Sequence, residues 1–229
     1  MAQKGIREYD AKRMLAKALA SPDDKALSYN GRVVLVSPGT DMQRLPQDCG
    51  WLTESKLVVK PDQLFGKRGK NNLLLLDADW NSARKWIDER MNKPTTIVQN
   101  NVEIAGELTH FLIEPFIPHE KEYYVAITTE REGDVIHFSP QGGIDIESQW
   151  HTVKQLRAPV MGDIADEDLA AVLGDEDDNL RPLLAGFIKR LHRFFVDYHY
   201  TYLELNPFAV KDGAAIPLDC VARVDDTAA

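Results

Sequence analysis

Hydrophobic residues at helical spacing mark three helices in the chain. The clearest runs from Leu183 to Phe195, where leucine, isoleucine and phenylalanine recur every three or four residues on one face. The same spacing, less regular, predicts a helix over Ile6 to Leu19. A third helix is predicted from about Trp80 to Arg90, with Asp79 as its N-terminal cap.

Short apolar runs predict strands between these helices. They lie at Arg32–Ser37, Leu57–Lys60, Asn72–Leu76, Phe111–Ile117, Glu122–Ile127 and Asp134–Ser139. Because helices and strands are interleaved while hairpins dominate the second half, the pattern predicts an α+β fold. We expect two lobes, the first covering about residues 1–100, with a boundary near Asn92 to Glu103.

The run that follows the strong helix predicts a hairpin. Asp212-Gly213 separates two apolar runs, which is the strongest short-range signal for a two-residue turn. If these residues form the turn, Lys211 pairs with Ala214. Counting back in step then sets Asn206 opposite Asp219, on the same face of a sheet.

The polar residues of this hairpin allow two interpretations. Amide and carboxylate oxygens such as those of Asn206 and Asp219 are ligands that Mg²⁺ takes when it also holds nucleotide phosphates. The same register sets Glu204 opposite Val221, on the face of the metal candidates. The alternative is an ordinary hairpin with polar residues on its solvated face.

Composition excludes several classes of protein. Hydrophobic residues at 44% and charged residues at 28% are typical of a soluble globular chain of this size, 229 residues. A net charge of −9 argues against nucleic acid as a partner, since phosphate backbones are bound by an excess of Lys and Arg. Because no apolar run reaches about 18 residues and the first residues lack a signal-peptide core, we expect no membrane segment and a cytoplasmic location.

Two basic features are candidates for anion binding. Lys60 ends an apolar strand, where an ammonium facing a cleft can contact an anion, although a lysine there is more often solvated. Lys67-Arg68-Gly69-Lys70 forms a small basic loop in which glycine permits close approach of a phosphate. A basic surface turn explains the loop equally well.

Two further segments are compatible with nucleotide binding, although each also has an ordinary structural explanation. Glu114-Pro115-Phe116-Ile117 has the character of an extended adenine linker, and Glu122 follows where a carboxylate can bind ribose hydroxyls. Gly142-Gly143 permits a tight turn beside the carboxylate of Asp145. An edge strand and a hairpin bend are the plain structural alternatives.

Six segments, taken in order, carry a resemblance to a known family. They are Arg7–Lys12, Lys60–Leu64, Arg68–Lys70, Leu112–Phe116, Gly142–Asp145 and Tyr202–Pro207. Together they resemble the ATP-grasp domain of the ATP-citrate lyase family, to which the succinyl-CoA synthetase β subunit is related. Ser37–Asp41, Trp51–Thr53 and Lys60–Gln63 are more similar to the citrate enzymes than to the succinate enzymes.

The resemblance implies one ATP-grasp domain over residues 1–229, in which two lobes clasp ATP. The implied ATP-binding residues are Lys60, Lys67, Arg68, Gly69, Glu114, Pro115, Ile117 and Glu122, and the implied Mg²⁺ ligands are Asn206 and Asp219. Lys60 would contact phosphate oxygens, the basic loop would cover the phosphates, and Glu122 would hold the ribose. One departure is Lys67, where the succinyl-CoA synthetase loop usually has glycine.

The resemblance also implies a reaction that this chain does not complete alone. In the family, ATP phosphorylates a histidine, citrate is activated as citryl phosphate, and CoA yields citryl-CoA, which is cleaved to acetyl-CoA and oxaloacetate. The phosphohistidine lies in another domain or subunit, and nothing in this sequence matches its surroundings or the substrate-binding domain. We therefore expect no catalytic residue here, a CoA-binding partner domain or subunit that carries the histidine, and an oligomer.

Three other functions stay open from the sequence. Citryl-CoA synthetase would have a similar domain, because cleavage of citryl-CoA is carried elsewhere. A succinyl-CoA synthetase β subunit is a further possibility. A non-catalytic nucleotide-binding assembly module belongs to a different class, and the presence of the whole set of implied site residues argues against it.

Overall fold

The computed structural model describes residues 2–20, 29–99, 102–143, 146, 148–160, 162–174 and 176–227. Its contacts divide the chain into two compact units. The larger unit comprises Met1–Ile6, Asp10–Gly31 and His119–Ala229, and the smaller unit comprises Arg7–Tyr9 and Arg32–Pro118. The division therefore falls near Pro118, beyond the predicted boundary at 92–103. That segment instead carries most of a hairpin inside the smaller unit, whose second strand is exposed along its whole length.

Helices lie between groups of antiparallel strands, which is compatible with an α+β fold. The helices are α1 (Glu8–Leu19), α2 (Leu45–Asp48), α3 (Trp51–Glu54), α4 (Trp80–Asp88), α5 (Asp166–Leu173) and α6 (Arg181–Asp197). The strands are β1 (Gln3–Ile6), β2 (Val34–Val36), β3 (Leu57–Pro61), β4 (Leu75–Ala78), β5 (Pro94–Gln99), β6 (Val102–Glu107), β7 (Phe111–Pro115), β8 (Tyr123–Glu130), β9 (Gly133–Ser139), β10 (Lys154–Arg157), β11 (Tyr200–Lys211), β12 (Ala214–Pro217) and β13 (Val221–Asp225).

The larger unit is built on an antiparallel sheet with the strand order β1-β13-β11-β8-β9-β10, and β12 also pairs with β11. One face carries alternate residues of β8, such as Val125 and Ile127, into the main core. The predicted stripe of α6 covers this face, with Phe187, Ile188 and Leu191 buried. The opposite face carries polar and aromatic side chains, where Tyr124 and Ala126 pack with Ile146 in a small separate cluster.

The smaller unit holds a four-stranded antiparallel sheet in the order β2-β7-β3-β4 and the separate β5–β6 hairpin. Its core joins α4 to one face of β3, where Leu57 and Val59 are fully buried. Asp79 caps α4 as predicted, because its side chain accepts a hydrogen bond from the Ser82 amide. That bond lowers the pKa of the Asp79 carboxyl below its usual range.

One predicted strand is displaced. The sequence set it at Asn72–Leu76, whereas β4 is Leu75–Ala78. The reason is a turn of 3₁₀ helix at Gly69–Asn71, which ends on Asn72 in the left-handed conformation with φ 55°. None of the helices in the described part of the chain has the length and hydropathy needed to span a bilayer.

Candidate functional site

Lys60 lies at the end of β3 in a buried group of charges. Its pairing partner across the sheet is Leu112 of β7, so its side chain leaves the sheet on the face opposite to Leu57 and Val59. The Lys60 ammonium is 3% exposed and lies 2.7 Å from Glu8 Oε1 and 2.8 Å from Glu114 Oε1. The lysine is therefore neither solvated nor snorkelling, which were the plain alternatives for a lysine at a strand end.

Arg68 brings the basic loop into the same group of charges. The Arg68 side chain is 8% exposed, with Nη2 2.7 Å from Glu8 Oε2 and Nη1 donating to the Pro61 carbonyl at 3.0 Å. Lys67, immediately before Arg68, has φ 62°, in the left-handed region. Glycine, the residue usual at this position of the succinyl-CoA synthetase loop, adopts such a value without strain. The loop is thus fixed from inside by a buried arginine, which a simple surface turn does not need.

Asn71 fixes the far side of the same loop. Its side-chain amide donates to the Lys67 carbonyl at 2.8 Å, and its oxygen accepts from the Val98 amide of β5 at 2.7 Å. The basic loop is therefore connected both to the charged group and to the β5–β6 hairpin.

Asp62 is a third carboxyl in this group of charges. Burial, followed by the negative charge of the neighbouring Glu8 carboxylate, raises the pKa of Asp62 from 3.8 to about 6. Its Oδ1 accepts a long hydrogen bond of 3.4 Å from the Tyr9 amide. Within the described residues, its buried Oδ2 has no hydrogen-bond partner. Ionised Asp62 is thus costly in the folded chain.

We expect Asp62→Asn to change how stability depends on pH. Because the folded-state pKa of about 6 is above the usual 3.8, the folded chain binds this proton more tightly than the unfolded chain. The contribution of protonated Asp62 to stability is complete below about pH 4 and is lost as the pH rises through about 6. Asparagine has no such loss, so the variant should gain roughly 2–3 kcal/mol relative to the parent chain between about pH 4 and about pH 8.

The measurement is urea unfolding of both chains across this pH range. Asp88→Asn, at an exposed aspartate of α4, is the control and should follow the parent chain. A constant difference between Asp62→Asn and the parent chain at all pH values would show that Asp62 ionises normally.

The predicted adenine linker begins inside the smaller sheet. Glu114 and Pro115 are the last residues of β7, and Pro115 pairs with Leu57. The Phe116 amide then donates to the Lys56 carbonyl at 2.7 Å, after which Ile117 belongs to no strand. The chain here changes from a paired strand to a segment outside the sheet. Its role in binding adenine stays a prediction.

Two glycines of the larger unit bring Glu122 and Asn206 together. The Gly142 amide donates to the Glu122 carbonyl at 2.8 Å, and the Gly143 amide donates to Asn206 Oδ1 at 2.8 Å. A Cβ at Gly143, where φ is +97°, would lie 2.2 Å from Glu122 Oε2. The positive φ favours glycine at this position, and a side chain there would displace the Glu122 carboxylate. Asp145, which completed this motif in the sequence, lies outside the described residues.

Glu122 itself is held in place while part of it stays accessible. Its Oε1 is 3.1 Å from His119 Nε2, and the side chain is 40% exposed. A carboxylate in this setting has an oxygen to offer to a hydroxyl group.

The hairpin has the predicted register. Lys211 pairs with Ala214 and Phe208 pairs with Pro217, and the turn residues Asp212 and Gly213 have φ values of 52° and 77°. Farther along β11, Glu204 pairs with Val221 of β13, as counting predicted.

The pairing is interrupted between these two stretches, at the position of the implied metal ligands. The Asn206–Pro207 peptide is cis, and the Pro207 carbonyl accepts hydrogen bonds from the amides of Leu218 and Asp219 at 3.0 and 3.1 Å. Asp219 Oδ1 accepts from the Cys220 amide at 2.8 Å. The paired residues on either side keep the same register, which supports the predicted opposition of Asn206 and Asp219.

Amide and carboxylate oxygens suit Mg²⁺, which usually takes only one or two protein ligands beside phosphates and water. Among the described residues no group of three His, Cys, Asp or Glu side chains is placed to hold a metal ion. The donor set at Asn206 and Asp219 therefore fits a metal that a nucleotide helps to hold. It does not fit a dedicated protein cage.

Sequence reasoning missed two buried charges on α1. Glu8 contacts both Lys60 and Arg68, and Lys12, with no exposed surface, donates to the Leu218 carbonyl at 3.0 Å. Glu8 and Lys12 are four residues apart and so lie on one face of α1. This spacing was visible in the sequence, but charged residues on an amphipathic helix are usually assigned to solvent.

Sequence reasoning also missed the aromatic residues on the polar face of the larger sheet. Tyr202 donates a hydrogen bond to Glu204, and Tyr124 of β8 points to the same face as both. Burial, followed by the charge of Glu204, raises the pKa of the Tyr124 hydroxyl far above its usual range. The sequence held no clear signal for this face, because β8 is apolar or aromatic without interruption from Tyr123 to Ile127.

Comparison with known proteins decides the family. A model of the ATP-citrate synthase ATP-grasp domain matches residues 2–229. The chain belongs to this family. The resemblance drawn from six sequence segments is thereby confirmed, and so is the ATP-grasp fold.

Relatives of this ATP-grasp domain come from plants, animals and archaea. ATP-citrate synthase alpha chain protein 1 of Arabidopsis thaliana is 38% identical over 232 residues, covering 100% of this chain and 53% of that protein. Human ATP-citrate synthase is 36% identical, again over 100% of this chain but over 20% of its own length. The chain thus spans about half the length of the plant relatives.

Solved structures of ATP-citrate lyases have the same fold. The enzyme from Methanothrix soehngenii, in complex with citrate and coenzyme A, has a TM-score of 0.85 and 43% identity over 98% of this chain and 52% of that one. A dinucleotide-forming acetyl-coenzyme A synthetase from Ca. Korarchaeum cryptofilum has a TM-score of 0.63 at 12% identity. At that identity the second likeness concerns the fold alone.

Proposed function

We propose that this chain is the part of an ATP-citrate synthase that binds Mg-ATP and presents its terminal phosphoryl group. The observation that carries the proposal is the contact of Gly142 and Gly143 with both Glu122 and Asn206. A carboxylate suited to ribose and an amide suited to a metal are gathered by two glycines that leave no room for other side chains. An assembly module has no need of this arrangement.

The resemblance supplies the proposed role of each ATP-binding residue. Lys60 contacts phosphate oxygens, and Lys67, Arg68 and Gly69 form the loop over the phosphates. Pro115 and Ile117 line the adenine linker, which begins at Glu114. Glu122 binds the ribose.

Asn206 and Asp219 would hold Mg²⁺ through their side-chain oxygens. When bound, the metal supplies positive charge that offsets the charge of the phosphate oxygens. The protein residues position the nucleotide, and in phosphoryl transfer positioning and charge neutralisation supply most of the catalysis. The chain itself needs no nucleophile for this role.

The remaining steps of the proposed reaction are those of the ATP-citrate lyase family. The phosphoryl group passes to a histidine of another domain or subunit, citrate is activated to citryl phosphate and citryl-CoA, and cleavage gives acetyl-CoA and oxaloacetate. The relative from Methanothrix soehngenii was solved with citrate and coenzyme A, which supports those substrates. A CoA-binding partner, an oligomeric enzyme and a cytoplasmic location stay predictions.

Calorimetry tests the proposal. We expect Mg-ATP or Mg-ADP to bind, and Asp219→Ala to weaken binding by about tenfold in magnesium and much less in EDTA, because a single metal ligand is lost. Asp226→Ala, at an exposed aspartate after β13, is the matched control and should bind like the parent chain. Equal losses in magnesium and EDTA would remove the metal-ligand role of Asp219. No magnesium-dependent binding by the parent chain would favour the assembly module.

A further inference from the structure

Glu8 bridges the two cations that the sequence assigned to phosphate binding. Its Oε1 lies 2.7 Å from the Lys60 ammonium, and its Oε2 lies 2.7 Å from Nη2 of Arg68. The side chain is 3% exposed. A single buried carboxylate thus contacts a strand end and a loop that are eight positions apart in the sequence.

Because Lys60 and Arg68 are buried, they depend on Glu8 to compensate their charges. A charge removed from water is tolerated when an opposite charge and hydrogen bonds replace its hydration. Glu8 gives such a replacement to both cations at once, and the guanidinium also donates to the Pro61 carbonyl. Without Glu8, the Lys60 ammonium and the Arg68 guanidinium would repel each other with no shared carboxylate between them. We expect the two side chains to move apart.

The first turn of α1 explains why Glu8 occupies this place. Glu8 is the first residue of the helix, where the exposed amide groups favour a negative side chain. The next amide, that of Tyr9, points to Asp62 Oδ1. Residues 7–9 belong to the smaller unit with Lys60 and Arg68. The helix start is therefore part of the structure that supports the basic loop.

We infer that Glu8 is a positioning residue for nucleotide binding, which holds Lys60 and Arg68 side by side and fixes the basic loop Lys67–Lys70 in its binding shape. This inference rests on the proposed function, since it gives the loop its ligand. In it, Arg68 acts mainly as the internal anchor of the loop, while the backbone of the loop and Lys60 face the phosphates. Glu8 touches neither nucleotide nor metal.

The experiment compares Glu8→Gln with Glu54→Gln, which removes an exposed carboxylate of α3 in the same unit. Calorimetry should show Mg-ATP binding about tenfold weaker in Glu8→Gln and unchanged in Glu54→Gln. Trypsin should cut Glu8→Gln faster at Lys67, Arg68 or Lys70, read by mass spectrometry, because the anchored loop is released. In an Arg68→Gln background, Glu8→Gln should cause a smaller further loss of affinity than in the parent chain, since the contact of Glu8 with Arg68 is already gone and only its contact with Lys60 remains to be lost.

The outcomes separate this inference from the proposed function. If the parent chain binds Mg-ATP while Glu8→Gln binds it equally well or more tightly, Glu8 does not position the cations and the inference is wrong. If the parent chain does not bind, the proposed function fails, yet equal trypsin cleavage in Glu8→Gln and the parent chain would still contradict the anchoring of the loop. Should Glu8→Gln not fold, Glu8→Asp keeps the charge with a shorter reach, and the same two measurements apply to it.

Discussion

Lys60→Met should destabilise the chain by about 3–5 kcal/mol, because it removes one partner from a buried group of charges. The ammonium is 3% exposed and contacts the carboxylates of both Glu8 and Glu114. Methionine fills a similar volume but leaves those carboxylates with less compensation. Urea unfolding measures the loss.

The same variant should weaken Mg-ATP binding by roughly 100-fold, which corresponds to the loss of a charge-assisted hydrogen bond to phosphate. Calorimetry on the folded fraction, below the unfolding transition, measures this loss separately from stability. The losses of stability and of affinity share one cause. The Lys60 ammonium neutralises the carboxylates of Glu8 and Glu114, and it is also the group proposed to bind the phosphates.

Lys56→Met is the matched control. Lys56 precedes β3 by one residue, its side chain is 59% exposed, and its ammonium lies 4.0 Å from Asp77 Oδ1. Loss of such a surface pair changes stability by about 1 kcal/mol or less. If Lys60→Met behaved like Lys56→Met in both measurements, the buried ion pairs would not be present in solution.

Gly142→Ala should disrupt the glycine pair that contacts Glu122 and Asn206. A Cβ at this glycine would lie 2.5 Å from the Tyr123 carbonyl oxygen and 2.6 Å from its carbon, both backbone atoms. The segment must therefore move, at a cost of about 1–3 kcal/mol for overpacking. The hydrogen bond from the Gly143 amide to Asn206 would be lost with it, and we expect Mg-ATP binding to weaken by roughly 30-fold or more.

Gly106→Ala controls for the general cost of replacing a glycine. A Cβ at Gly106, in the exposed strand β6, meets no atom within 4 Å. Thermal unfolding and calorimetry of this variant should match the parent chain or show slightly higher stability. Normal nucleotide affinity in Gly142→Ala would show that the glycine pair has no part in binding.

The hairpin could be predicted from the sequence because its information is local. Asp212-Gly213 selects a turn whose two residues have positive φ, and the turn sets the register of everything that follows. Even the pairing of Glu204 with Val221, on a separate strand, obeys the same count. The cap at Asp79 and the stripe of α6 were predictable for the same reason.

The group of charges around Lys60 could not be predicted in this way. Glu8 is 52 positions from Lys60, and only the tertiary fold brings the two together. An amphipathic pattern separates apolar from polar residues, but it does not tell a buried carboxylate from a solvated one. The resemblance named Lys60 and Arg68 as ligands of phosphate and gave no information on what holds them in the absence of nucleotide.

The displaced strand β4 and the hairpin of β5 and β6 were missed for two other reasons. The apolar run at 72–76 was read as one strand, but the left-handed Asn72 places its start outside the sheet. Strand β6 is exposed along its whole length, so it lacks the alternation that marks a half-buried strand. The predicted lobe boundary at 92–103 followed from that missing signal.

The turn at Asp212-Gly213 has a consequence for how this hairpin tolerates changes in length. Extra residues placed between Lys211 and Ala214 leave the pairing of Phe208 with Pro217 and of Glu204 with Val221 intact, and a Cβ at Gly213 meets nothing within 4 Å. A single residue gained or lost between Asn206 and Lys211 would instead turn Asn206 to the other face of the sheet. The turn at Asp212-Gly213 is therefore the best point for inserting an affinity tag or a fluorophore, while the stretch from Asn206 to Lys211 must keep its length.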